Sequence, residues 1–290
     1  MGCGDDLMAR FEIPVLHATD HNREETRTFM PTNPAHDNPD LPAPRADLAR
    51  RLTAELFGTA LLVTVVVGSG ISAERLSPSD VGLQLLENST ATALGLTVLI
   101  LLFGPVSGAH FNPVVSAADW LLGRKHRAGL SGGEVGAYTA AQVMGAILGA
   151  ELANLMYGVS PDLSTKDRTG PGLLVGEVVA TLGLVALIFA LARTGRGLLA
   201  APAVGAYIGA AYWFTSSTSF ANPAVTIGRV FSNTFAGIAP GSAPGFIAAQ
   251  VVGAALAIAV VGWLYPGVAD TADDVVVPHH NENQQTRSTR

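Results

Sequence analysis

In a chain of 290 residues, the side chains able to do chemistry come in a repeated order: Glu55, Asn112 and Gln142, then Glu177, Asn222 and Gln250. Each asparagine precedes a proline, in "AHFNPVVSAADWLLG" from Ala109 and in "SFANPAVTIGRV" from Ser219. Asn is a favoured helix N-cap and Pro a favoured first helical residue, so each pair marks a helix start. The glutamates fall early in strongly apolar runs, where an unpaired charge costs at least ~2.5 kcal/mol and points by default to function. No nucleophile with a base, and no metal-ligand set, lies in those runs. The chemistry on offer is hydrogen bonding, which makes an enzyme the weakest class and calls for no cofactor and no metal.

The elements that must position these groups follow from composition. With 49% hydrophobic and 14% charged residues, the chain is too apolar for an ordinary soluble domain and reads as a membrane protein. The formal charge of -6 belongs to the ends: residues 1–46 hold eight acids and four bases, and residues 266–290 hold four acids and two bases. The rest is balanced, which gives no basic surface for nucleic acid. Residues 1–46 and 267–290 are expected to be disordered arms flanking a channel-sized region at 47–266. Gly2 matches only part of a myristoylation signal, because Asp6 stands where Ser or Thr is needed. His17 with His21, and His279 with His280, read as solvated histidines, and the single Cys3 excludes an intrachain disulfide.

A membrane span needs ~20 apolar residues. Six runs qualify, at 52–73, 84–106, 134–157, 172–193, 198–217 and 243–265. Arg45, Arg50, Arg51, Arg124, Lys125, Arg127, Arg193 and Arg196 fall on one side of this map, and Arg75, Lys166, Arg168 and Arg229 on the other. That imbalance puts both termini in the cytoplasm. Each Asn-Pro lies between spans and opens about eleven helix-compatible residues, ~16 Å or half a bilayer core, so both segments dip in and do not cross.

"AAQVMGAILGA" at Ala140 and "AAQVVGAALA" at Ala248 are near copies, and "AELFGTALL" at Ala54 is matched by "GEVVATLGL" at Gly176. Repeat one covers 51–157 and repeat two 172–265. Two halves of three spans each must insert with opposite orientation, an inverted repeat typical of channels and carriers. The expected fold is an all-α membrane protein of six transmembrane helices and two re-entrant half-helices.

Over residues 50–265 the chain resembles the major intrinsic protein family of aquaporins and glycerol facilitators. Glu55, "SGAHFNPVVS" with Asn112, Pro113 and Val114, "FANPAVT" with Asn222, Pro223 and Ala224, and the repeated "AAQV" carry the resemblance. The "TNPAH" of Asn33, Pro34 and Ala35 is a chance match in a polar arm. The resemblance implies a passive channel for water and small uncharged solutes such as glycerol or neutral metalloid hydroxides, a homotetramer in the plasma membrane, and two asparagines whose amide N–H groups face the pore. An inverted-repeat secondary transporter is the alternative; it would need coupling groups that the spans lack. Glu55, Glu177, Gln142 and Gln250 would brace the re-entrant loops, while Gly108, Ala109, His110, Ser219, Phe220 and Ala221 would line the pore with carbonyls. His110 fits either a pore-mouth or a packing histidine.

The departure is at the selectivity filter. The family's usual arginine after the second Asn-Pro-Ala is Val225 here. The other filter positions are expected at Leu94, at Ser219, and among Ala210, Ala211 and Tyr212, with Ala210 the small-residue choice. Such a filter is wider and less polar than that of a strict water channel. Arg229, one turn beyond Val225, either reaches back to the outer mouth or binds a vestibule carbonyl. Asp119 is placed to pair with Arg124, Trp213 and Trp263 read as interfacial anchors, and the pairs Gly145 with Gly149 and Gly205 with Gly209 suit close helix packing.

Overall fold

The computed structural model describes residues 46–124 and 128–265. The arm up to residue 45, the tail from residue 266, and Lys125 and Arg127 lie outside the described residues, together with the readings made of Gly2, Cys3, His17, His21, Asn33, His279 and His280.

Eight α-helices follow one another among the described residues: α1 (Leu48–Leu76), α2 (Val81–Ser107), α3 (Pro113–Gly123), α4 (Gly132–Tyr157), α5 (Pro171–Arg193), α6 (Ala200–Phe214), α7 (Pro223–Gly228) and α8 (Ala243–Leu264). Local signals set their starts. Asp47 and Asp80 accept backbone N–H bonds as N-caps of α1 and α2. Ser131 and Glu134 close a capping box on α4, and Gly158 ends that helix in the left-handed conformation. Asn112 and Asn222 cap α3 and α7, each with proline as the first helical residue.

Among the described residues, five helices are long and apolar enough to cross a membrane: α1, α2, α5, α8, and α6 with the 3-10 turn before it. At 26 residues α4 has the length but is not one of the five; its small and polar residues lower its hydropathy. The second half-helix departs from the eleven residues expected of it. α7 has six residues and passes into a three-residue 3-10 turn, Arg229–Phe231. Gly228 is pressed against the Ala146 carbonyl of α4, and the Arg229 carbonyl is taken by the Ile238 N–H, so the chain leaves the helical path there.

The packing is twofold. α1 lies along α4 and α5 along α8, while α2 packs on α6 across the repeats. In the first pair a Cβ on Gly145 or Gly149 would collide with the Leu56 or Ala60 carbonyl, so these glycines let the two backbones touch. Gly205 plays the same part between α6 and α2, against Thr97 and the Ala93 carbonyl. At one end of the bundle Arg51 pairs with Glu134; at the same end Arg193 donates to the Val261 carbonyl at 2.8 Å and closes α8. At the opposite end Arg75 donates to the Tyr157 carbonyl at 2.7 Å and closes α4. Arg51 and Arg193 thus lie at one end of the bundle and Arg75 at the other. The outward surface is apolar, with Leu94, Leu101, Leu155 and Trp263 all exposed, while polar groups gather inside.

Candidate functional site

Two unwound segments, 108–112 and 218–222, run into the N-termini of α3 and α7. Ala109, Phe111, Thr218, Ser219 and Ala221 all hold positive φ between 48° and 61°, a conformation that costs about 1–3 kcal/mol for each non-glycine residue. Buried carboxylates hold these segments. Glu55 accepts from the His110 N–H at 3.0 Å, the Phe111 N–H at 2.7 Å, the Ser107 hydroxyl at 2.6 Å and the Gln142 amide at 2.8 Å. Glu177 repeats the arrangement with the Phe220 N–H at 2.8 Å, the Ala221 N–H at 2.9 Å and the Gln250 amide at 2.6 Å. Hydrogen bonds to a charged group are worth about 1.5–3 kcal/mol each, enough to offset the strain. Gln142 and Gln250 then reach Ser116 at 3.1 Å and Thr226 at 2.8 Å, tying each loop to its own half-helix. The four residues are fully buried, and their hydrogen bonds bring them together around the loops.

The two segments meet at their tips. Asn112 donates an amide N–H to the Ala221 carbonyl at 2.8 Å, and Asn222 donates to the Phe111 carbonyl at 2.7 Å. Their side-chain oxygens accept from the first turns of α3 and α7. Each carboxamide carries two N–H donors, so one donor of each asparagine locks the opposite loop and one remains. The remaining donor is the one the sequence reading turns toward a pore, while the crossed bonds between the loops have no counterpart in that reading.

A cavity runs beside the bridge, lined by both asparagines. Gly108, Ala109, His110, Ser219 and Phe220 line it, and so does Phe111, which is not among the residues expected to line a pore. Ala221 is fully buried away from the cavity, its carbonyl taken by Asn112 and its N–H by Glu177. Of the Asn-Pro motifs, Val114 and Ala224 pack in the apolar core, and neither they nor the prolines line the cavity. His110 is both on the cavity and packed: its ring lies 5.5 Å from that of Tyr138, and Nδ1 is 3.0 Å from the Ser116 hydroxyl.

Two filter expectations are corrected. Leu94 is 66% exposed on the outer surface of α2 and lines nothing. The inward face of α2 carries Thr92, Leu96 and Ile100, four residues apart, and at 100° per residue Leu94 falls on the far side. Ala210 is likewise exposed, because the inward face of α6 carries Val204, Ile208 and Tyr212 at the same spacing. Of the three alternatives, Tyr212 is the cavity residue, its hydroxyl 3.3 Å from that of Thr92. Once the packing sets Leu96 inward, the four-residue period gives Thr92. Ser219 and Val225 lie on the cavity as expected.

Arg229 combines both of its readings. It is 2% exposed, its Nε donates to the Ala236 carbonyl, and its guanidinium sits 3.4 Å over the Phe220 ring, yet it also lines the cavity. Arg168 approaches the same ring at 5.1 Å and donates to the Gly237 carbonyl at 2.9 Å. Nearby, the Ser242 and Thr169 hydroxyls donate to Asp167 and hold that exposed carboxyl below the usual range. Asp119 does not pair with Arg124: it accepts the Leu130 N–H at 2.7 Å, while Arg124 lies over the Trp120 ring.

An all-helical bundle in which two strained loops meet tip to tip beside a cavity, each braced by a buried glutamate, defines a membrane channel built as an inverted repeat. The Major intrinsic protein family model matches residues 43–220, and on this match the chain belongs to that family. It is 52% identical over 220 residues to the aquaglyceroporin AqpS of Rhizobium meliloti (strain 1021), a match covering 75% of this chain and 91% of that one. It is 33% identical over 228 residues to the glycerol uptake facilitator protein of Pseudomonas aeruginosa, covering 68% and 79%. Its fold is also that of the X-ray structure of the aquaglyceroporin from Plasmodium falciparum, with a TM-score of 0.56 at 18% identity over 78% of this chain and 99% of that one.

Proposed function

We propose that the chain is a passive channel for water and small uncharged solutes larger than water, with glycerol and neutral metalloid hydroxides as the solute class, working as a homotetramer in the plasma membrane with both termini cytoplasmic. The observation that carries this reading is the reciprocal Asn112 and Asn222 bridge. It fixes one free amide donor from each half of the chain on a cavity whose wall includes Leu62, Leu96, Leu184 and Ile188. Strained, unwound backbone is tolerated at membrane depth only where it is buried in protein or lines water, and these loops have the cavity on one side and the buried glutamates on the other.

The relatives named aquaglyceroporin and glycerol uptake facilitator support a pore that admits polyols. The wall supports it as well, since Val225 and Ile208 give it apolar surface and Thr92 and Tyr212 give it hydroxyls. A solute with both hydroxyls and carbon is complementary to such a wall.

The test is solute flux into proteoliposomes with no ion gradient present. Downhill glycerol and water movement through the reconstituted full chain is the expected result. Flux that requires a proton or sodium gradient would instead assign a secondary transporter and overturn the channel reading.

A further inference from the structure

Position 225, where the family's filter arginine stands, is a valine, yet the cavity still holds one arginine. We infer that Arg229 is the specificity-determining cation of this pore: a guanidinium set back one turn from Val225, binding the hydroxyls of neutral polyhydroxyl solutes and repelling cations, while Val225 leaves the opening wide. The inference rests on the channel reading above and deepens it.

Three observations carry it. Arg229 lines the same cavity as Val225 and is 2% exposed, so its charge acts within a poorly screened wall. Its position is fixed from behind: Nε is bound to the Ala236 carbonyl and the guanidinium plane lies against the Phe220 ring. Among the described residues no hydrogen-bond partner takes its two terminal nitrogens and no carboxylate pairs with it, so those donors remain for a ligand. Ser219, whose buried Oγ has no hydrogen-bond partner among the described residues, is one of the residues lining the same cavity. The Thr92 and Tyr212 hydroxyls, 3.3 Å apart, add a third polar point.

Several donors around an apolar gap fit a compact neutral molecule with two or more hydroxyls better than water, which cannot span them. Polyols and metalloid hydroxides share this chemistry. Mutating Val225 to restore a cation would therefore add a second charge to a pore that already has one.

The experiment uses the full chain in proteoliposomes, comparing wild type with Arg229→Gln, Arg229→Lys and Ser219→Ala. Sodium leak and the fluxes of water, glycerol and arsenous acid are measured for each. Arg50→Gln, which removes an exposed charge outside the cavity, is the control and should change neither ion exclusion nor selectivity. Arg229→Gln should admit sodium and lower glycerol or arsenous acid flux relative to water about tenfold, the scale of one charged hydrogen bond. Arg229→Lys should keep sodium out and still lose the solute preference, because an ammonium cannot reproduce the fixed fork. Should Arg229→Gln fail to fold, Arg229→Lys and Ser219→Ala still read the preference. A fall in both solutes, or in either one, supports the assignment and identifies the chemistry served. Unchanged ion exclusion and unchanged solute ratios in the Arg229 variants, with wild-type flux intact, overturn it. Absence of flux in wild type would instead overturn the channel reading.

Discussion

Glu177 accepts three donors, two of them backbone N–H groups of a strained loop, and an amide in its place can face them with only one acceptor. Glu177→Gln should destabilise the protein by about 2–5 kcal/mol, seen as a melting temperature in detergent several degrees below wild type. Glu55→Gln should do the same, because Glu55 holds the symmetric loop. Asn222→Asp removes the donor to the Phe111 carbonyl and places negative charge beside the cavity. Flux should collapse or cation leak should rise; a variant with both unchanged would take Asn222 out of the pore. Val225→Arg puts a long cationic side chain into a wall that is now apolar. Glycerol flux should then fall much more than water flux in stopped-flow swelling, and an equal loss of the two would sink the open-filter reading.

Among elements, the close pair α1 and α4 decides whether the Glu55 brace can form, since Glu55 lies on α1 and Gln142 on α4. Gly149 allows that approach, with no space for a Cβ beside the Ala60 carbonyl. Gly149→Leu should force the helices apart and cost about 1–3 kcal/mol or more, while also loosening the first re-entrant loop. Thermal unfolding and water flux should fall together in this variant; loss of stability with wild-type flux would show that the brace does not depend on this packing. The shortness of α7 belongs to the same scale. By ending after Gly228 it turns Arg229 off the regular helix and onto Phe220, which places the cation on the cavity wall.

For the whole molecule, the outer faces of α1, α2, α4, α5 and α8 expose large apolar residues such as Phe57, Leu101, Leu155, Val175 and Trp263, as a surface toward lipid or further copies requires. A homotetramer is the expected assembly, with one pore per subunit. Its mass in native mass spectrometry should be near four times 29.9 kDa, and a mass near one subunit would reject it.

The sequence by itself determined the order of elements and the braces. Hydropathy runs locate helices because each long helix here must be apolar over most of its length, and Asn-Pro locates the half-helices because capping is local chemistry. The duplicated Glu, Asn and Gln revealed the inverted repeat, and the family resemblance they carry implied that Glu55, Glu177, Gln142 and Gln250 brace the loops. What only the tertiary structure decided was which side chains face the cavity. Leu94 and Thr92 sit two residues apart on a helix apolar nearly all round, so no hydrophobic face announces the inward direction, and the choice rests on how α2 packs against α1 and α6. Ala210 and Tyr212 were separated in the same way. The crossed Asn112 and Asn222 bonds join residues 109 and 111 positions apart, a pairing with no local signal. Arg229 completes the contrast: its type and spacing were legible, but its burial depends on Ala236 and Phe220 converging from separate loops, a contact that exists only once the chain has folded.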